Sequence, residues 1–420
     1  MRLVFSGFVL IYNPWYVYYL MANGAIGGIS IRAKISGVFL CFAIFYKTLS
    51  LLAGNVSVGK RSSVLTLMTS FLLVFLISIV IGLVNGNEFL YFGLDAFPLF
   101  EMFCLYYLIR LTPDMDLDFE KLAKWISLYI ILMCVANIAT YIYLSFFQGI
   151  GFGALRANIN GVVVNRLMDF MVPILGPGFI VMSRVSKNRF IRIFLPACVV
   201  LLVGLTFFRT AYVAFFAGFF VILTQKKKNI IILAKTVGVA MALGLSAITV
   251  AQQRSGANSD LHMVGLITER VSSIFDSKDD DLAIYSRITD TADKIKELPK
   301  ALIVGYGMGG ELDSGPIQYT ANYFLQLLLL LGVPGGVLFI WIYIKIARVL
   351  LWLSRTAVDQ TEKLLFLAGA SSLGGLAAIL MFFPYTMYFP LLYLFGILAG
   401  IADICYLRRK KQLALKVKIA

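Results

Sequence analysis

Six arginines, Arg156, Arg166, Arg209, Arg254, Arg270 and Arg287, stand in or beside the stretches that interrupt an otherwise apolar chain. A guanidinium stays charged at any relevant pH and meets two phosphate oxygens at once, so several of them converging would hold a diphosphate. Arg209 is the sharpest case: apolar residues flank it on both sides, and no acid is near it in sequence. A charge placed there is costly unless something anionic meets it. Arg287 precedes a glycine run, Gly305-Tyr306-Gly307-Met308-Gly309-Gly310, whose successive backbone N–H groups would form an anion-binding nest at Gly305 and Gly307. Asn322 stands where the polar stretch returns to apolar sequence and belongs to the same set of anion-binding candidates. Glu269, Asp290 and Asp313 are the carboxylates available as a general base.

Other polar features read as structural. The run Asp279-Asp280-Asp281 follows Lys278 and precedes an amphipathic segment, so it reads as a solvated helix start rather than a metal site. The single histidine, His262, has no recognisable orienting partner. The glycine run lacks the strand–turn–helix context of a Walker A loop or a dinucleotide fingerprint. Cys41, Cys104, Cys134, Cys198 and Cys405 all lie in apolar stretches without paired or metal-ligand spacing. No metal and no cofactor is expected.

These residues must be positioned by a membrane bundle. Of 420 residues 60% are hydrophobic and 14% charged, against roughly a quarter charged in a soluble domain. The mean hydropathy is +0.87. A formal charge of +15 could suggest nucleic acid. In a membrane chain it is explained by Lys and Arg in cytoplasmic loops, and no nucleic-acid partner is expected.

Apolar runs long enough to span a bilayer fall near 3–21, 34–53, 63–84, 88–109, 124–146, 167–183, 229–250, 364–382 and 385–406. The stretch from Arg192 to Lys226 divides at Arg209 into two short spans, 193–208 and 210–225. Residues 318–347 are expected to make one crossing by a helix broken at Gly332, Pro334, Gly335 and Gly336. The expectation is an all-α polytopic membrane protein with about twelve transmembrane helices and both termini cytoplasmic. With the N-terminus inside, the clusters at Lys60-Arg61, 184–192, Lys226-Lys227-Lys228, 345–355 and 408–411 all fall inside, as the positive-inside trend requires. The chain then divides into an N-terminal bundle over 1–250, a large structured external loop over 251–316, and C-terminal helices over 317–420. Leu261, Val264, Ile267, Val271 and Ile274 have helical spacing in that loop. So do Leu282, Tyr285, Ile288, Ala292 and Ile295, before Pro299 stops the second helix. Both apolar faces are expected to lie over the mouth of the bundle.

The chain resembles the superfamily of O-antigen polymerases (Wzy-type) and O-antigen ligases. The resemblance rests on Leu205-Thr206-Phe207-Phe208-Arg209-Thr210-Ala211 between two spans, and on Ser286-Arg287 followed by Pro299 and Gly305-Tyr306-Gly307. It rests also on Asn322-Tyr323-Phe324-Leu325 with Gly332 and Gly335, and on the twelve-span layout. It covers most of the chain in architecture, through short motifs. Ligases usually carry His-Asn where this chain has Ala321-Asn322, which tilts the reading toward a polymerase. The resemblance implies a glycosyltransferase of the cytoplasmic (inner) membrane that needs neither metal nor nucleotide sugar. It would join undecaprenyl-diphosphate-linked repeats of O-antigen, capsule or exopolysaccharide, among membrane lipids and beside a chain-length regulator and flippase of the same pathway. Arg209 and Arg287 would carry the catalysis. A ligase, a flippase for a lipid-linked oligosaccharide and a non-catalytic scaffold are the alternatives.

Overall fold

The computed structural model describes residues 62–112, 118–146, 156–159, 162–165, 171–186, 188–206, 209–225, 282–313, 315–317, 320, 322–382 and 390–419. Of these 86% are helical, as a chain whose backbone must satisfy itself within an apolar medium requires. The helices are α1 (Ser63–Val84), α2 (Phe89–Arg110), α3 (Phe119–Phe146), α4 (Met171–Met182), α5 (Arg189–Leu205), α6 (Arg209–Leu223), α7 (Leu282–Glu297), α8 (Tyr323–Thr356), α9 (Gln360–Phe382) and α10 (Pro390–Ile419). Five of them, α1, α2, α8, α9 and α10, are long and apolar enough to cross a membrane. Strand content is confined, among the described residues, to two antiparallel ribbons that the all-α expectation did not include. One pairs β1 (Arg156–Ile159) with β2 (Val162–Asn165), where the β-branched run Val162-Val163-Val164 favours a strand. The other pairs β3 (Glu311–Leu312) with β4 (Gly315–Pro316). The expected spans near 3–21, 34–53 and 229–250 and the first loop helix lie outside the described residues.

Helix α9 is the seam of the bundle because its small residues let backbones approach. Gly374 and Gly375 lie against Ala217 and Ala214 of α6, and the Ser371 hydroxyl donates to the Gly218 carbonyl at 2.9 Å. Gly178 of α4 meets Ala368, and Gly375 also meets Ile174. These pairings run α4 and α6 antiparallel to α9. Gly396 and Gly400 of α10 pack on Met102 and Ile109, which runs α10 parallel to α2.

The pairings give the bundle two chemically different ends. At one, Arg355 donates to Gln225 just beyond α6 at 3.1 Å, and Arg409 of α10 is ion-paired with Glu362 in the first turn of α9. Arg184 just after α4 and Arg408, Lys410 and Lys411 on α10 belong to the same end. Behind them Arg110 and Asp403 form a pair at 3.1 Å that is 3% and 0% exposed, and the Tyr106 hydroxyl donates to Asp403 at 2.9 Å. Buried charges persist only when paired in this way.

Helix α8 differs from expectation. Only Gly332 leaves helical geometry (φ 74°, ψ 172°), while Pro334, Gly335 and Gly336 belong to the helix that follows. Pro334 sits in the first turn of that second half, where its missing N–H costs nothing. The two halves are not one broken crossing, because they fold back on each other. The ring of Phe324 lies 6.3 Å from that of Tyr343, and Tyr323 lies 6.1 Å from Phe339. A continuous helix would separate 324 and 343 by about 28 Å. Residues 323–331 therefore form a half-helix, and only 333–356, rising about 36 Å, are long enough to cross a bilayer.

At Gly332 a Cβ would stand 2.6 Å from the Ile303 carbonyl oxygen, and its φ is one that L residues avoid. Gly86 has a similar φ of 69°, but a Cβ there would meet nothing within 4 Å. Gly86→Ala should lose about 1–2 kcal/mol for its backbone conformation alone. Gly332→Ala should lose more, about 2–4 kcal/mol. Thermal unfolding of the two variants in detergent checks this, and equal losses would contradict the packed turn.

Candidate functional site

The hairpin in α8 exists because non-helical chain is packed beside it. From Leu298–Ala301, a single 3-10 turn, the chain runs through 302–310 along α1 and the tip of α8. Non-helical backbone inside an apolar bundle must find every partner in protein. Leu302, Ile303 and Val304 are exposed, and from 305 onward the donors are paired: Gly305 N–H donates to Ala301 at 3.2 Å, Tyr306 to Leu329 at 2.8 Å, Gly307 to Leu330 at 3.1 Å and Met308 to Ser78 at 3.1 Å. Gly309 N–H reaches a carboxylate oxygen of Asp95 at 3.1 Å, and Gly310 closes on Gly307 at 3.2 Å. Val333 N–H donates to Leu302 at 3.1 Å, and the Ser78 hydroxyl to Leu330 at 2.9 Å. The expected nest at Gly305 and Gly307 is therefore corrected. All six N–H groups of the run hold the fold, and none is left for an anion. The glycines serve close approach instead: Gly305, Gly307 and Gly309 all have positive φ, and a Cβ at Gly309 would stand 2.5 Å from the Phe92 nitrogen.

A polar chain ties the loop helix to this wedge. The Tyr306 hydroxyl donates to Glu297 at the end of α7 at 3.2 Å, and the Tyr306 carbonyl accepts from the side-chain amides of Asn85 and Asn87 at 3.3 Å each. Asn87 also donates to the Met308 carbonyl at 2.8 Å. Lys300 stands 2.7 Å from Glu297, and its hydrogen bond holds that carboxyl below the ordinary range.

The arginines divide between described and undescribed positions. Arg209 opens α6 and is half-buried. Since α6 and residues 333–356 finish together at Gln225 and Arg355, Arg209 and Gly332 share the opposite end of the bundle. Position 287 lies on α7, which leads within a few residues into the wedge at that end. Arg156 is on β1, opposite Asn165. Arg166, Arg254, Arg270 and Glu269 lie outside the described residues, as do His262 and Asp279–Asp281. Asn322 is the N-cap of α8, its side-chain oxygen accepting from Leu325 N–H at 3.1 Å. Asp313 is exposed at the turn between β3 and β4.

Of the expected apolar face of α7, the side chains of Leu282, Tyr285 and Ile288 lie outside the described residues. Ala292 and Ile295, two residues of the expected apolar face, are exposed, with Ile295 at 50%. The buried position is Lys294, which meets Asp290 at 2.9 Å.

A buried carboxylate in the wedge is Asp95, 5% exposed on α2. One carboxylate oxygen accepts from Gly309 N–H and the other from the Gln326 amide at 2.8 Å, while Gln326 itself is 1% exposed. Thus α2, the glycine run and the half-helix 323–331 meet on one carboxylate. Sequence carried a signal for this residue, an acid within an apolar span, which is itself a marker of function or of an internal partner.

Asp95→Leu should orphan two buried donors and cost about 1–3 kcal/mol for each. Asp95→Asn should be much milder, because a rotated Gln326 amide can pair with the new amide. Unfolding midpoints in detergent distinguish them, and a neutral Asp95→Leu would show that the carboxylate holds nothing. No family model matches this chain and no curated protein is similar to it, so its function must be read in its own residues.

Proposed function

We propose that the chain is a membrane glycosyltransferase that polymerises undecaprenyl-diphosphate-linked oligosaccharide repeats. The observation that carries this reading is the sharing of one bundle end by Arg209, by the helix bearing position 287 and by the non-helical wedge, away from the end with the paired basic residues. A hydroxyl of the acceptor sugar attacks the donor's anomeric carbon. The new C–O bond forms as the bond to the diphosphate breaks, the electron pair leaves on the diphosphate oxygen, and the hydroxyl proton passes to a base. Asp290 and Asp313 are the described carboxylates available for that proton. Fixed guanidinium groups in a partly dehydrated site stabilise the charge growing on the leaving group. A flippase is the second reading, supported by the half-helix 323–331, since discontinuous helices build transporter sites.

Purified protein supplied with lipid-linked repeats separates these. Lengthened product means a polymerase, changed leaflet without lengthening means a flippase, and neither means a scaffold. Arg209→Ala and Arg287→Ala should each lower polymerisation by roughly 10²–10³. The Lys variants should lose less, since they keep charge but not the two-point match. Normal polymer from Arg287→Ala would remove the proposed site.

The reading includes about twelve spans, both termini in the cytoplasm and the loop 251–316 outside. Single cysteines at 227 and 409 should resist an impermeant thiol reagent in intact cells, in a background without reactive native cysteines, while one at 286 should react. Labelling at 227 would reverse the scheme.

A further inference from the structure

Lys294 is buried where its neighbours predict exposure. It is 2% exposed on a helix whose adjoining Ile295 is 50% exposed. Lysine is almost never fully buried unless paired, and its long stem normally carries the charge out to water. Its partner is Asp290, one turn earlier, at 2.9 Å and 35% exposed. The carboxylate thus lies toward solvent and the ammonium beneath it. An ammonium has three donors, and among the described residues Asp290 takes one. Asp290 and Lys294 stand one turn apart on the same side of the helix.

We infer that Lys294 is a further phosphate-binding group, held in the free protein by Asp290, whose carboxylate an incoming phosphate displaces. The inference rests on the reading that this end of the bundle takes a diphosphate. A buried cation cannot stay uncompensated, so the site needs an anion at all times. Asp290 supplies it when no substrate is bound. Phosphate oxygens carry more charge than one carboxylate and can engage the remaining ammonium donors. Asp290, once released toward solvent, is a free carboxylate beside the bound diphosphate.

The test uses the full chain in nanodiscs of a zwitterionic lipid, with farnesyl diphosphate as probe and binding followed by calorimetry. Lys294→Met preserves the stem's apolar volume and should weaken binding about tenfold or more. Lys294→Arg should stay within a few-fold of the unsubstituted chain. Asp290→Asn removes the competing anion and should tighten binding several-fold. If the pair only braces α7, Asp290→Asn will instead weaken binding as Lys294→Met does, and the inference fails. Should Lys294→Met not fold, the direction of the Asp290→Asn change decides alone. Unchanged affinity in Lys294→Met beside an intact chain that binds would overturn the role of Lys294 and leave the diphosphate site standing. Absence of binding by the unsubstituted chain would overturn the diphosphate site itself. Nanodiscs containing phosphatidylglycerol identify the source of the phosphate. Displacement of the probe by that lipid would assign the group to a headgroup, against the inference, and undisturbed binding assigns it to the diphosphate.

Discussion

The structure depends on one constraint: backbone donors placed among apolar helices must all be paired. Most of the described chain meets it by being helical. The segment from 305 to 310 cannot, and four of its donors borrow acceptors from the helices around it, namely Ser78 of α1, Asp95 of α2, and Leu329 and Leu330 of α8. An unpaired buried donor costs about 1–3 kcal/mol. Six such groups within a few residues could not remain open for a ligand and leave the wedge in place. Packing and anion binding by this glycine run are mutually exclusive.

That same segment shapes its surroundings. Wedged against Gly332, it lies where α8 turns back, and the half-helix 323–331 brings Gln326 to the Asp95 carboxylate. Through Tyr306 it reaches Glu297 and so fixes the end of α7 over the bundle. Loop helix, wedge, half-helix and α2 thereby form one connected polar system. At the other end Arg110 pairs with Asp403 and Arg409 with Glu362. The cations there brace helices against each other, whereas the end holding Arg209 and α7 gathers its charge around a loop helix.

Helix α7 brings a buried charge to that end of the bundle. An apolar inner face would have made the helix a greasy cover. With Lys294 buried and Ile295 exposed, the helix carries a covered ammonium paired with the partly exposed carboxylate of Asp290.

Much of this architecture was legible in the sequence. Apolar runs marked α1, α2 and α9 to within a few residues, Arg209 marked the division between α5 and α6, and Pro299 marked the stop of α7. Each follows from local composition: span length, an intolerable charge, a residue without an N–H. Asn322 was legible as a boundary, and its role as a cap follows from its type. The fold-back at Gly332 was not legible, because a helix break in sequence looks the same whether the chain continues or reverses. Ring contacts between Phe324 and Tyr343 decide it, and they require the third dimension. Nor could sequence say that the glycine run's N–H groups are all taken, since acceptors such as Ser78 and Asp95 lie more than two hundred residues away along the chain. The inward face of α7 escapes the sequence for a related reason. Periodicity finds the apolar stripe of a helix, but which stripe is buried depends on what the neighbours present, and here the neighbours bury a lysine. Sequence by itself determined which segments are helices in an apolar medium. Only tertiary packing decided which polar groups remain available, because availability is what is left after distant partners have been met.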